Sequence, residues 1–179
     1  MRRPGSGSRG GWPVTRRRRR RRCGPPASAE AIAWARETSG VVFPAELVES
    51  LLCHDGCSST WPFFEVPGGY RPMSAAEIVE GWRITREALT GVDPDGDLVG
   101  SYWHPQWVPF ATTISASEMV LGCRPGDTHG AVGEMVKGDG THFGRRPALG
   151  DVLDEVADAL EGGLPIGNRL PVAFGGRLD

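Results

Sequence analysis

The chain has 179 residues, enough for one domain with a real core. No apolar stretch approaches the ~20 residues of a bilayer span, so a helical membrane protein is excluded. Charge is segregated: residues 1–29 hold ten arginines and no acid, whereas residues 30–179 hold ten basic residues against 22 acids, a formal net of −12 that the overall −2 conceals.

Residues 1–27 are Arg, Gly, Ser and Pro with little to bury, and they read as a disordered tail ahead of a domain at 28–179. Arg16, Arg17, Arg18, Arg19, Arg20, Arg21 and Arg22 repel one another and oppose packing. Three readings stand: a tether to nucleic acid or another anionic surface, upstream sequence from a misassigned start, or a loose fold-back onto the acidic domain. No apolar h-region follows the run within residues 23–40, so it is not an export signal. The four cysteines (Cys23, Cys53, Cys57, Cys123) are few for this length. A cytoplasmic protein with reduced thiols is expected.

Ser28 is placed to N-cap a helix through about Glu37, with Ile32 and Ala35 on one side and Gly40 as its stop. Pro44 opens a second helix carrying Leu47, Val48, Leu51 and Leu52, closed by His54-Asp55-Gly56. Residues 61–66 have strand character, and Pro67-Gly68-Gly69 is a turn. Ser74-Ala75-Ala76-Glu77 is a capping box for a helix over 74–90, with Ile78, Trp82, Thr85 and Leu89 on one face. Tyr102 to Ala111 packs four aromatics and two prolines into ten positions. Such a run is too Pro-broken for a helix and too apolar for a loop, and it predicts a bent strand. Residues 119–123 and 131–137 follow as strands between turns. A last helix is predicted over 147–161, with Leu149, Val152, Leu153, Val156 and Leu160 as its stripe, then an edge strand at 172–174. Helices at both ends of a strand cluster give an α+β class: one mixed or antiparallel sheet flanked by helices.

No constellation supplies nucleophile, base and orienter together, so a non-enzyme is expected. His54 between Cys53 and Cys57 lacks the second ligand pair of a structural zinc site, and it reads as a helix terminator beside a packed Cys53. Asp93, Asp95 and Asp97 mimic a calcium loop, but Leu98 and His104 occupy the positions of its Gly and Glu. No metal or cofactor is expected. Trp107 and Phe110 read as core, while Trp61 and Trp103 are the candidates for partly exposed partner anchors. Glu65, Glu118 and Glu134 complete the candidate partner-binding set. Glu77 is occupied by the cap.

The order of these pieces resembles the SUKH superfamily, the Smi/Knr-type domains, over roughly residues 28–179. Four pieces carry the resemblance: Val41-Val42-Phe43-Pro44 with the helix ending in His54-Asp55-Gly56, the approach Gly69 to Ser74 into the helix with Trp82-Arg83, Trp103 to Ala111, and the closing helix 147–161. After Ala111 the family commonly has acids, and here only Glu118 stands in for one. The resemblance implies a non-catalytic, protein-binding domain. Bacterial members are often immunity proteins against toxins, many of them nucleases, and fungal members are scaffolds in cell-wall signalling. The expected partner is then a basic toxin or nuclease domain, which an acidic domain would attract. The alternative is a nucleic-acid-associated protein tethered by Arg16 to Arg22. Sequence alone leaves the oligomeric state open.

Overall fold

Ser28 opens the first helix by accepting the Ala31 amide at 3.1 Å, and Gly40 closes it in a left-handed conformation (φ 66°). The structure is a computed structural model and describes residues 23–59, 64–93, 98–146, 148–162, 164–166, 173–174 and 177–178. Among the described residues, four helices and seven strands follow in chain order: α1 (Ala29–Ser39), α2 (Ala45–Cys53), β1 (Arg71–Pro72), α3 (Ala75–Ala88), β2 (Trp107–Thr112), β3 (Glu118–Gly122), β4 (Val132–Val136), β5 (Gly140–Arg146), α4 (Leu149–Gly162), β6 (Ala173–Phe174) and β7 (Arg177–Leu178). The fold is α+β, with β1 to β5 forming an antiparallel meander in chain order and β6 pairing with β7.

Cross-strand partners share a face, so the register assigns the side chains. One face carries Trp107, Glu118, Val120, Met135 and Phe143; the other carries Val108, Ala111, Met119, Leu121 and Val132. Trp82 of α3 packs with Trp107, Val120 and Met135 on the first face. On the second, Leu47 and Leu51 of α2 and Leu149 and Val152 of α4 gather with Phe110 and Ala111. Both faces are covered, and every residue of β3 is buried. Near-continuous apolar runs in β2 and β3, without polar alternation, are the sequence mark of strands buried on both sides.

Several expectations are corrected. The aromatic run is a strand only from Trp107; residues 98–103 form turns, with a single bridge from Val99 to Trp103. In the run expected as a strand at 61–66, Val66 makes one bridge to Tyr70 across the turn. β5 was not expected, because its sequence offers one apolar side chain, Phe143, among Gly, Thr, His and Arg. Phe143 compensates by lying flat against Gly133 opposite, where a Cβ would stand 2.9 Å from the ring. Residues 23–27, assigned to the tail by composition, are bonded to the domain: the Gly24 amide donates to the Gly56 carbonyl and the Ala27 amide to the Leu51 carbonyl, both at 2.8 Å. Cys53 is exposed rather than packed, since it follows Leu51 onto the solvent side of α2. The Arg16 to Arg22 run, Trp61, Asp95, Asp97, Pro147, Val172 and the side chain of Leu160 lie outside the described residues.

Candidate functional site

The residues expected to meet a partner do not form one surface. Trp103 is 0% exposed, which corrects its role as a surface anchor. Its loop is clamped to the start of β5: the Thr141 amide donates to the Ser101 carbonyl at 2.8 Å, and the Thr141 hydroxyl donates to the Tyr102 carbonyl at 2.6 Å. The Trp103 ring thereby meets Trp107 edge-on at 6.2 Å, and Trp107 meets Phe143 at 5.2 Å. Glu118 is 8% exposed, beneath Gly81 of α3, and its Oε2 has no hydrogen-bond partner. Burial pushes its carboxyl up to about 7. Glu118 is therefore interior, not part of an acidic face. Glu65 precedes the turn at 67–69 and is half-buried; Glu134 is half-buried on β4, opposite His142. Trp61 and Arg16 to Arg22 lie outside the described residues.

The His54-Asp55-Gly56 corner is a joint between helices. His54 ends α2, with its ring nitrogen 3.3 Å from the Gly24 carbonyl oxygen. The Asp55 carboxylate accepts the Ala75 amide at 2.8 Å and so satisfies one of the orphan donors that open α3. Ser74 and Glu77 form the expected capping box, and Arg71 grips Glu77 with two bonds of 2.8 and 3.1 Å. Burial raises the Glu77 carboxyl, but hydrogen bonds from Arg71 and from the Ser74 amide outweigh it and leave the group below its usual range. Among the described residues, no three His, Cys, Asp or Glu side chains gather as a metal site requires.

The strongest surface feature is on α4. Its buried positions Leu149, Val152, Val156 and Ala159 recur at helical spacing. Asp151, Asp154, Glu155, Asp158 and Glu161 occupy the opposite, exposed face, and α4 contains no basic residue. At 100° per residue these five acids fall within about a third of the helix circumference. Asp151 also accepts the Ala148 amide at 3.0 Å, a favourable position at a helix start. Glu161 lies in the last turn, where the helix dipole disfavours an anion. Glu46 and Glu49 are exposed on α2, the helix that α4 contacts. The cleft between these helices has a volume of about 30 Å³, room for a water rather than an organic ligand.

A second surface feature is Trp34, 48% exposed on α1, and sequence reading missed it. The signal was present, because Trp34 is out of phase with the buried stripe Ile32, Ala35 and Ser39. Ile84 on α3, the helix that α1 packs against, is likewise exposed.

Among the described residues, no helix is long and apolar enough to cross a membrane. No curated protein matches the chain. The family model described as SMI1 / KNR4 family (SUKH-1) matches residues 26–161, which takes in α1 through all but the last residue of α4, including the capping joint and the acidic helix. The chain belongs to the SMI1 / KNR4 family (SUKH-1).

Proposed function

We propose that this SUKH domain is a non-catalytic, cytoplasmic protein-binding module, an immunity protein or regulator that occludes a basic toxin or nuclease domain. The observation that carries the reading is the α4 stripe: five exposed acids on one face of a helix whose own sequence contains no basic residue. Like charges at helical spacing destabilise a helix, so a cation-rich partner would relieve a cost that the isolated domain bears. Net −12 over residues 30–179 extends the same field around the molecule and would accelerate encounter with a basic surface. Trp34, 48% exposed on α1, is a separate candidate aromatic anchor.

The test is co-purification from the source cells on the full-length chain, with an Asp151→Lys/Asp154→Lys/Asp158→Lys bait in parallel. The expected result is a basic protein on the parent bait, lost on the variant and weakened by salt. A partner retained equally by both baits at high salt overturns the α4 reading.

The seven consecutive arginines favour one other reading, a non-specific nucleic-acid tether. Removing residues 1–22 should then abolish nucleic-acid binding and its steep salt dependence. Full affinity in the truncated protein would reject it.

A further inference from the structure

Cys23 and Cys57 face each other across an antiparallel bridge at the root of the Arg-rich segment. The Gly24 amide donates to the Gly56 carbonyl at 2.8 Å, joining the residue after Cys23 to the residue before Cys57. That pattern marks a non-hydrogen-bonded antiparallel pair, where opposed Cα atoms approach to about 4.5 Å. Disulfides need Cα atoms about 4.4–6.8 Å apart, so this position can be bridged without moving the backbone. The Cys57 thiol is also within hydrogen-bonding reach of Cys23. Cys57 is held from the far side: its amide donates to the Pro72 carbonyl at 3.1 Å, and its carbonyl accepts from Arg71 at 2.8 Å. The other two cysteines lack this arrangement. Cys53 is on the solvent side of α2, and the Cys123 thiol donates to the Leu121 carbonyl at 3.7 Å.

We propose that Cys23 and Cys57 form a redox modification site, closing reversibly to an intramolecular disulfide when oxidised by a peroxide. Cys23 is half-exposed and Cys57 is 8% exposed, so Cys23 meets the oxidant. The hydrogen bond with Cys23, then burial, push the Cys57 thiol up, and the greater exposure of Cys23 makes it the sulfur that the oxidant reaches. The Cys23 thiolate attacks a peroxide oxygen, the O–O bond breaks, and hydroxide leaves with the Cys23 proton as water. The resulting sulfenic acid is attacked by the Cys57 sulfur; the S–S bond forms, the S–O bond breaks, and hydroxide leaves with the Cys57 proton as a second water. Two thiols and one hydrogen peroxide give one disulfide and two waters, with two electrons passing from sulfur to oxygen. A thiol reductant reverses the bond by exchange. The cross-link would close a loop containing α1 and α2, and would fasten the segment that follows Arg16 to Arg22 to the start of α3.

The experiment uses the full chain, reduced and then treated with hydrogen peroxide. Thiols are counted, and cross-linked peptides are identified without reduction. The expected result is a fall from four thiols to two and a single Cys23–Cys57 link. A rise in Tm on the order of 10 °C should accompany it and vanish with reductant. Because Cys53 and Cys57 share a tryptic peptide, the map is repeated on Cys53→Ser, which should keep the link. Cys23→Ser should lose the link while its reduced-state Tm stays near that of the parent. Linkage through Cys53 or Cys123, a disulfide-linked dimer, or over-oxidised Cys23 beside an intact Cys57 thiol would each overturn the proposal.

Discussion

Gly81 of α3 lies directly over the Glu118 carboxyl: a Cβ on Gly81 would stand 2.8 Å from Glu118 Oε1. The helix passes close because Gly81 has no side chain, and that approach closes Glu118 off from water. A buried, unpaired carboxylate is costly, so the acid is held in its neutral form. Its folded-state value of about 7 lies above the ordinary 4.5. The folded state therefore binds the proton more tightly than the unfolded state. Stability is greatest below about pH 4.5 with respect to this group, falls as pH rises, and levels off above 7. The full loss is on the order of 3 kcal/mol. Glu118→Gln should be the more stable protein at pH 8 and should flatten this slope. His104 works in the opposite direction, since burial and then Arg124 lower it, but its contribution cancels between parent and variant. Urea melts of both proteins at pH 5 and 8 measure the difference; parallel pH profiles would reject the assignment.

Gly56 is fixed by two independent constraints. Its φ of 67° is left-handed, and a Cβ there would collide with the Ser74 amide nitrogen and stand 2.8 Å from the Met73 carbonyl carbon. Both obstacles are backbone, so neither yields as a flexible side chain would. Gly56→Ala should cost about 3 kcal/mol or more, combining strain with displacement of the α3 start. Gly40→Ala is the control. It shares the positive φ with open space around it, and should cost only about 1 kcal/mol. Equal Tm losses in the two variants would show that packing at Gly56 contributes nothing beyond its dihedral.

The Arg71–Glu77 pair links β1 to the cap of α3. Glu77 is depressed below its usual range, so its contribution is present above the unfolded value and is lost as pH falls through the folded one. Its side chain is 38% exposed, so solvent screens the pair. Glu77→Gln should cost about 1–2 kcal/mol at pH 7, and the gap to the parent should narrow in acid as the parent's own carboxylate is protonated. A gap that stayed constant from pH 7 to pH 3 would mean that the charge contributes nothing.

Local signals in the sequence were strong where one residue determines the geometry. Ser28, Gly40, Ser74 and Glu77 act as caps in the structure as their spacing indicated. α4 buries Leu149, Val152 and Val156 of its expected stripe, but Leu153 faces solvent and Ala159 is buried in addition. What the sequence hid depends on long-range packing. β5 has one apolar side chain and becomes a strand because β4 presents Gly133 to Phe143. Trp103 looked like an exposed anchor because nothing local shows that Thr141 pins its loop. Glu118 looked like a surface acid because the Gly81 approach that buries it crosses 37 positions of sequence. The acidic stripe of α4 was legible as composition, but it needed the helix register to become a face.

That stripe predicts an opposition between stability and binding. Asp154 and Asp158 are four residues apart on the exposed face, and neither has a basic neighbour on α4. Replacing Asp158 with Lys converts this repulsive pair into an attractive one, and also relieves repulsion with Glu155 and Glu161. The i,i+4 change from like to opposite charge is worth ~0.5 kcal/mol, so Asp158→Lys should raise Tm slightly. The same substitution should weaken capture of a basic partner, with the loss larger at low salt than at high salt. Melting curves and binding titrations across ionic strength on one pair of proteins check both halves. If Asp158→Lys stabilised the domain and left partner affinity untouched, the repulsion on α4 would have no binding role, and the contact would have to be sought around Trp34.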